Sequence, residues 1–226
     1  MTQPTDPRPT ACPFAPAVSG GVWPVITDHP HRLLVTYLDR AGTYHYAGND
    51  PRERARRFAA YRKGKNGPRY HCGIDLYGRD GDPVRAIADG VIVRNFGAFR
   101  RGVRPDGTPW LVRRILVDHG AIVVGYGEVM PIDGVPDTHT ARGRAILAPE
   151  ARTVVRAGEV FAAIRKQRVS SMLHLEVYRA GTTQGAQWLT RRPPVQLLDP
   201  SLLLLELARD ALPLAARGGP DSTRDG

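Results

Sequence analysis

Short apolar runs, separated by glycine and aspartate, dominate the chain beyond Tyr70. The clearest runs cover residues 84–88, 91–93, 114–118, 121–126, 160–164 and 172–178. Strands of this length at close spacing are typical of an all-β sandwich or barrel. Asp89 and Gly90 lie between the first two runs and form a dipeptide that strongly favours a tight hairpin turn. The pattern therefore predicts a mostly β, antiparallel fold with a hairpin over residues 84–93.

The segments on either side of these runs predict short flanking elements. Residues 32–38 and 43–46 are rich in apolar and aromatic side chains and enclose a turn at 40–42, which indicates a hairpin. Asp50 and Pro51 suit the cap and first turn of a helix that should end before Gly64. Residues 197–207 are predicted to form a closing amphipathic helix, introduced by Asp199 and Pro200.

Composition divides the chain into four parts. Residues 1–20 are rich in proline, threonine and alanine, and we expect a flexible lead because such a stretch buries little apolar surface. Residues 21–68 hold the first hairpin and the short helix, and residues 69–208 form the β domain. Residues 209–226 end in Gly, Pro, Asp and Arg and are expected to be a disordered tail. We therefore expect one main domain in a chain of 226 residues.

The chain is strongly basic, with a formal net charge of +10 and a pI of about 10.2. This charge suits an anionic partner, such as nucleic acid, a membrane surface or an anionic cell wall, without choosing among them. All but three of the 32 basic residues are arginines, scattered along the chain. No basic helix or aromatic platform is visible, so nucleic-acid binding is not expected. The longest apolar stretch is also far shorter than the ~20 residues that a membrane span needs.

The compartment and the oligomeric state do not follow from the sequence. Residues 1–16 lack the apolar run of a secretory signal. Cys12 and Cys72 permit at most one disulfide and say little about the redox environment. Localisation therefore has to follow from function.

His71 and Asp75 lie four residues apart around Gly73, and both are standard zinc ligands. On a straight strand these side chains would be roughly 13 Å apart at ~3.3 Å per residue, too far to share one metal ion. The chain must therefore bend between them, and Gly73 is the residue that permits a bend. The segment therefore predicts two ligands of a metal site.

The run over residues 172–178 supplies a third ligand. Its period of two places His174 and Glu176 on the face opposite Leu173 and Leu175, which belong in the core. His174 can then join His71 and Asp75 and leave a fourth position for water. Three protein ligands with one open position are what metal-dependent catalysis requires.

These motifs together resemble a known family, the lysostaphin-type zinc metallopeptidases, whose domain is also called the duplicated hybrid motif fold. The resemblance covers residues 69–204. It rests on matched segments at 71–75, 81–84, 89–90, 118–120, 155–160 and 173–178. It implies that His71, Asp75 and His174 bind one Zn2+ per chain, and that His119 belongs to a His-Gly turn that binds no metal. Independently of the resemblance, we expect Glu176 to orient a ligand, because carboxylates often hydrogen-bond zinc-binding histidines from the side away from the metal.

The chain departs from the family at two accessory histidines that hydrogen-bond the attacking water and the developing oxyanion. Glu128 stands where the family has the histidine of its Tyr-Ala-His motif, and Met172 stands where it has the first histidine of His-x-His. Methionine cannot donate a hydrogen bond. Glu128 is the candidate catalytic residue, because a glutamate can serve as general base, although it can also be a solvated residue after a strand.

Two further residues are weaker candidates. His139 lies in a loop and could fold over the metal to replace a missing histidine, although loop histidines are usually just exposed. Cys72 neighbours a ligand but should point to the opposite face, as a small buried side chain.

The sequence leaves two functions open. The first is a zinc-dependent endopeptidase that hydrolyses peptide bonds in bacterial cell-wall peptidoglycan, which would act outside the cytoplasm. The second is a zinc-containing binding module, impaired in catalysis, that recognises wall peptides or a protein partner. A swinging-arm carrier domain shows similar strand rhythms, but it needs a lysine at a hairpin tip and Asp89-Gly90 has none.

Overall fold

The fold is built around one large antiparallel sheet. The structure, a computed structural model, describes residues 9–27, 37–38, 44–45, 56–64, 67–133, 135, 153–166 and 171–211. Two small pairs of strands precede the sheet: β1 (Tyr37–Leu38) with β2 (Tyr44–His45), and β3 (Tyr61–Gly64) with β4 (Gly67–Tyr70). A helix, α1 (Ser201–Ala211), follows it. The predicted mostly β, antiparallel class is confirmed.

Within the described residues, ten strands make up the large sheet. They are β5 (Gly73–Tyr77), β6 (Pro83–Arg85), β7 (Gly90–Asn95), β8 (Phe99–Val103), β9 (Pro109–Asp118), β10 (Ile122–Pro131), β11 (Val154–Val155), β12 (Val160–Ile164), β13 (Met172–Arg179) and β14 (Leu197–Leu198). Strands β12 and β13 agree with the predicted runs, whereas β9 and β10 are longer than predicted. The sheet is open, with β11 at one end of its main path and β6 at the other.

Strand β10 is the centre of this sheet. It pairs with β9 on one side, and on the other side with β13 and then with β12. Its residues 122–129 are all buried, which is why residues 122–127 lack the polar alternation of a strand with one face in water. The same strand therefore carries the middle of the core and, at its far end, approaches β13 and the candidate ligand His174.

The predicted helix at 50–63 is wrong over the part of it that the structure describes. Residues 56–60 form turns, Ala59 has a φ of 58°, and β3 begins at Tyr61. Two backbone hydrogen bonds, Ala59 N–H to His71 O and His71 N–H to Ala60 O, hold this segment, and Phe58 packs on Trp188. These long-range contacts outweigh the helix propensity of the arginines and alanines.

The tight hairpin at Asp89-Gly90 is also wrong. Strand β6 pairs with β12 and strand β7 pairs with β9 and β11, so the two predicted arms never meet. Gly90 is needed because a Cβ there would lie 2.6 Å from His119 Nδ1 and 2.7 Å from Asp118 O. Gly90 therefore allows two strands to pack closely, and an Asp-Gly dipeptide looks the same in the sequence whether it does this or forms a turn.

The remaining flanking elements differ in part from their predictions. Strands β1 and β2 pair as the predicted hairpin requires, while its turn lies outside the described residues. Of the run expected to form a flexible lead, residues 9–20 lie within the described part: Phe14 forms a parallel bridge with Asp199, and Cys12 is buried. The division into lead, N-terminal part, β domain and tail stays a prediction. In the described part, no helix is long and apolar enough to cross a membrane.

The closing helix begins later than predicted, because Leu197 and Leu198 form β14 and α1 starts at Ser201. Asp199 is its cap, as predicted: its carboxylate accepts the Ser201 backbone N–H at 2.9 Å and the Ser201 hydroxyl. Asp199 is 1% exposed, and burial raises its pKa to about 6, although the two hydrogen bonds from Ser201 oppose the shift. The folded chain therefore holds a proton at Asp199 that the unfolded chain releases near pH 4.

We expect Asp199→Asn to become more stable than the wild type as the pH rises. The raised pKa means that Asp199 stabilises the fold fully below about pH 4, and this contribution is lost as the pH rises through about 6. Asparagine does not ionise, so the difference in unfolding free energy should shift in its favour by about 2 kcal/mol over that range. Denaturant unfolding of both proteins from pH 4 to 7 measures this, with Asp106→Asn at an exposed turn as control. A difference that does not change with pH contradicts the expectation.

Candidate metal centre

The three candidate ligands lie together: His71 just before β5, Asp75 in the middle of β5 and His174 on β13. Strands β5 and β13 are neighbours, and Asp75 stands directly opposite His174 in their register. A Cβ on Gly73 would lie 2.3 Å from the Leu175 carbonyl oxygen of β13. Glycine is therefore required here for close packing of the two strands rather than for the bend that the spacing suggested. His71 precedes the strand and reaches the site from outside it.

The three ligand atoms form a tight triangle. His71 Nε2 lies 2.9 Å from His174 Nδ1 and 3.2 Å from Asp75 Oδ1, and His174 Nδ1 lies 2.7 Å from the same oxygen. Two ligands at ~2.1 Å from a tetrahedral zinc ion would be separated by roughly 3.4 Å. The spacing is slightly shorter than this, so small side-chain movements would fit a zinc ion. The predicted group of three is thus brought together.

Each ligand is oriented by a partner on its other side. His71 Nδ1 lies 2.7 Å from the Arg57 carbonyl oxygen, to which it donates, so that Nε2 presents its lone pair to the centre. Asp75 Oδ2 accepts a hydrogen bond from Arg62 at 2.9 Å, which leaves Oδ1 for the cluster. Such partners behind the ligands are a regular part of zinc sites.

Glu176 lies directly behind His174. Its Oε1 is 3.0 Å from His174 Nε2, and its Oε2 accepts from Arg114 at 2.9 Å and from the Tyr178 hydroxyl at 2.6 Å. His174 can therefore donate through Nε2 and coordinate through Nδ1. Glu176 is 3% exposed, which makes the arrangement largely inaccessible to water. The hydrogen bond between Glu176 Oε1 and His174 Nε2 is the contact through which Glu176 would orient His174, as predicted.

The electrostatic surroundings of the cluster favour a cation. Burial by itself would lower the pKa of His174, but hydrogen bonds to Asp75 and Glu176 outweigh it and raise that pKa to about 10. Burial opposes ionisation of Glu176, yet the hydrogen bond from His174 outweighs it and lowers the pKa of Glu176 to about 2. Burial lowers the pKa of His71 to about 4, so this imidazole is neutral and can coordinate. The donor set and its charge therefore fit a divalent metal ion.

Replacing Glu176 by glutamine should weaken zinc binding by about 10-fold to 100-fold, as loss of a partner behind a zinc histidine usually does. Glutamine has the same shape, but it lacks the charge that holds the His174 N–H and Arg114. Titration against a chromophoric zinc chelator measures the affinity. The control is Glu159→Gln, whose carboxylate accepts the Arg156 backbone N–H far from the cluster. Equal zinc affinity in Glu176→Gln and wild type would leave Glu176 a purely structural residue.

Glu128 lies inside β10, not after a strand. The pairing register shifts between Gly127 and Val129, and Glu128 occupies the bulge with a φ of 66°. It is 4% exposed, forms an ion pair with Arg101 of β8, and lines the same groove as His174. The interpretation of Glu128 as a solvated residue is therefore wrong.

The other candidates lie apart from the cluster. Met172 contacts Arg56 through its sulfur at 3.7 Å, and Cys72 points its thiol towards the carbonyls of Tyr70 and Ala186. Burial raises the pKa of the Cys72 thiol to about 12, so it is not a thiolate. His119 contacts the Tyr126 hydroxyl and the Asp89 carbonyl. His139 lies outside the described residues.

A groove with a volume of about 700 Å³ opens above the ligands. It is lined by two of the candidate ligands, His71 and His174, and by the carboxylates Glu128 and Glu176. Five arginines also line it: Arg62, Arg69, Arg94, Arg101 and Arg114. Sequence reasoning missed these arginines because it regarded them as scattered. They come from five strands, β3, β4, β7, β8 and β9, and only the folding of these strands around one groove brings them together.

Comparisons with known proteins found similarity among solved structures only. No protein-family model matches the sequence, and no curated protein matches it. Among solved structures, LytU is 19% identical, over 66% of this chain and 81% of that chain, with a TM-score of 0.41. The catalytic domain of the antimicrobial peptidase lysostaphin from Staphylococcus simulans is 18% identical, over 65% of this chain and 87% of that one, with the same TM-score.

A zinc-containing peptidase from Vibrio cholerae is 19% identical, over 70% of this chain and 44% of that one, with a TM-score of 0.29. The lysostaphin-type resemblance of the motifs thus recurs among the solved structures. At these identities and TM-scores it carries no activity over to this chain.

Proposed function

We propose that this chain is a zinc-dependent endopeptidase that hydrolyses peptide bonds in bacterial cell-wall peptidoglycan. The observation that carries the proposal is the convergence of His71 Nε2, Asp75 Oδ1 and His174 Nδ1 at 2.7–3.2 Å from one another, beside an open groove that both histidines line. Three protein ligands beside open space are the arrangement of catalytic rather than structural zinc sites, which have four.

His71, Asp75 and His174 would hold one zinc ion. When bound in such a site, zinc supplies a Lewis acid that polarises a carbonyl group and makes water a better nucleophile near neutral pH. The chain's own contribution is rigidity: Arg57, Arg62 and Glu176 fix the three ligands from behind. Fixed ligands lose little orientational freedom on binding metal.

Glu128 is the proposed general base. Its carboxylate faces the groove that holds the ligands, and Arg101 restrains it there. A carboxylate in this position can accept the proton of the attacking water and return it to the leaving amine. In this chain it would take the place of the accessory histidine that the family motif has at this position.

The choice of peptidoglycan as substrate follows the motif resemblance and the charge of the chain. Cell-wall polymers are anionic, and a net charge of +10 would draw the protein to them. A wall hydrolase would act outside the cytoplasm. The groove is open, and its volume of about 700 Å³ lies within the range of ligand-binding clefts.

One observation favours the alternative of a binding module. Met172 stands where the family has its second accessory histidine, and its sulfur contacts Arg56. No group at that position can donate a hydrogen bond to an oxyanion. In this alternative the same groove and metal would bind wall peptides or a protein partner without cleaving them.

Metal analysis of the purified chain, together with turnover of purified peptidoglycan, separates the two functions. One zinc per chain and release of new amino groups from peptidoglycan would support the peptidase. Zinc and peptidoglycan binding without release of amino groups would favour the binding module. A chain that takes up no zinc after incubation with the ion would contradict both.

A further inference from the structure

The groove above the metal centre carries an excess of positive charge. Its five arginines face only three carboxylates, counting Asp75 of the ligand cluster with Glu128 and Glu176. No lysine or aspartate is among the lining residues. The excess exists before any metal cation is added, so the groove suits a substrate with its own negative charge.

Four of these arginines stand in two pairs. Arg62 and Arg69 are directly opposite each other in the β3–β4 pair. Like charges at such positions destabilise a sheet, so the stability of the hairpin does not explain them. On β7 and β9, Arg94 and Arg114 both lie over the ring of Phe96, at 4.4 and 4.5 Å from its centre. Positive charge is therefore concentrated on two separate walls of the groove.

The carboxylates of the site already have arginine partners. Asp75 is bound by Arg62, Glu128 by Arg101 and Glu176 by Arg114. The side chain of Arg69 is different, because it is exposed and forms no ion pair with any residue that the structure describes. Arg69 also stands beside Arg62, the arginine that touches the metal cluster. It is thus the groove arginine placed to meet an anion from outside.

We propose that the groove selects peptides that carry a carboxylate group close to the bond at the metal centre, and that Arg69 is the residue that determines this specificity. The inference rests on the proposed function and deepens it, since the groove is taken as the place where the substrate peptide lies. A guanidinium is planar and can bind both oxygens of a carboxylate at once, which gives selectivity that a lysine would not.

Two matched pairs of synthetic peptides test the proposal on the zinc-loaded full chain. The first pair is acetyl-tetra-alanine with a free C-terminal carboxylate or with a carboxamide. The second is acetyl-Ala-Ala-Glu-Ala-amide or its glutamine counterpart. Calorimetry measures binding, and mass spectrometry of the same samples detects hydrolysis. In at least one pair, the acidic peptide should bind about tenfold or more tightly than the neutral one, as expected for a charge-assisted bidentate contact.

Arg69→Gln should reduce this preference to about twofold or less, because the loss of affinity falls mainly on the acidic peptide. Arg192→Gln removes the same charge from an exposed residue outside the groove and should keep the preference. Equal affinity within both pairs, a preference that survives in Arg69→Gln, or no binding of either acidic peptide would each overturn the inference. Hydrolysis is measured separately from binding. Cleavage without a preference would support the peptidase and contradict the selectivity of the groove. A preference without cleavage would support the selectivity and contradict the peptidase.

Discussion

His174→Ala is expected to abolish stoichiometric zinc binding and to reduce turnover of peptidoglycan by more than about 1000-fold, because it removes one of the three proposed zinc ligands. It also removes the partner of both Asp75 and Glu176, so two buried carboxylates would remain without their shared imidazole. Metal analysis after dialysis against free zinc, and assay of released amino groups, measure the two effects.

Zinc should also stabilise the wild type and not the variant. Ligand present at about 1000 times its dissociation constant stabilises a folded protein by about 4 kcal/mol, which corresponds to a rise of about 10 °C in thermal midpoint for a chain of this size. His119→Ala is the matched control, since His119 bonds to Tyr126 and Asp89 outside the cluster. Stoichiometric zinc in His174→Ala would refute the assigned site.

Glu128→Gln is expected to keep one zinc ion per chain and to lower the turnover number by about 100-fold to 10000-fold, the range for loss of a general base. Glutamine preserves the size of the side chain but cannot accept the proton of the attacking water. The ion pair with Arg101 is lost as well, although Arg101 is partly exposed and can be solvated. Parallel metal analysis and peptidoglycan assays distinguish a chemical defect from loss of the metal.

Glu159→Gln provides the control for loss of one carboxylate, because Glu159 does not line the groove. It should keep both zinc and turnover. Full activity in Glu128→Gln would remove Glu128 from the mechanism, and loss of zinc in that variant would assign it to the metal site instead.

The metal cluster could be predicted from the sequence because each part of its signal is local. His71 and Asp75 are four residues apart, and the alternation around His174 shows which face of its strand is apolar. The strand at 172–178 was predictable for the same reason, because its alternation of apolar and polar residues has the period of a strand. The run at 160–164 does not alternate, and its short length is what favoured a strand. The structure adds the register that places Asp75 opposite His174.

The flanking elements could not be predicted because their conformation depends on distant residues. The segment at 56–60 reads as helix by composition, yet His71 binds its backbone and Trp188 packs on Phe58. Asn66-Gly67 is a turn signal that could have indicated the β3–β4 pair, but good helix formers precede it. Likewise, Arg114 and Glu176 are 62 residues apart, so no local sequence pattern predicts their ion pair.

At the bulge occupied by Glu128, the residue that would stabilise the fold differs from the residue proposed for activity. A non-glycine residue with φ near +60° carries a backbone strain of about 1 kcal/mol or more, and only glycine, asparagine and a few others relieve it. A library screened for heat resistance alone would therefore enrich Gly or Asn at position 128 and discard the carboxylate proposed to act as base. Laboratory evolution of this chain towards durability has to be coupled to a turnover screen, since a residue with a strained backbone is also the one proposed for the chemistry.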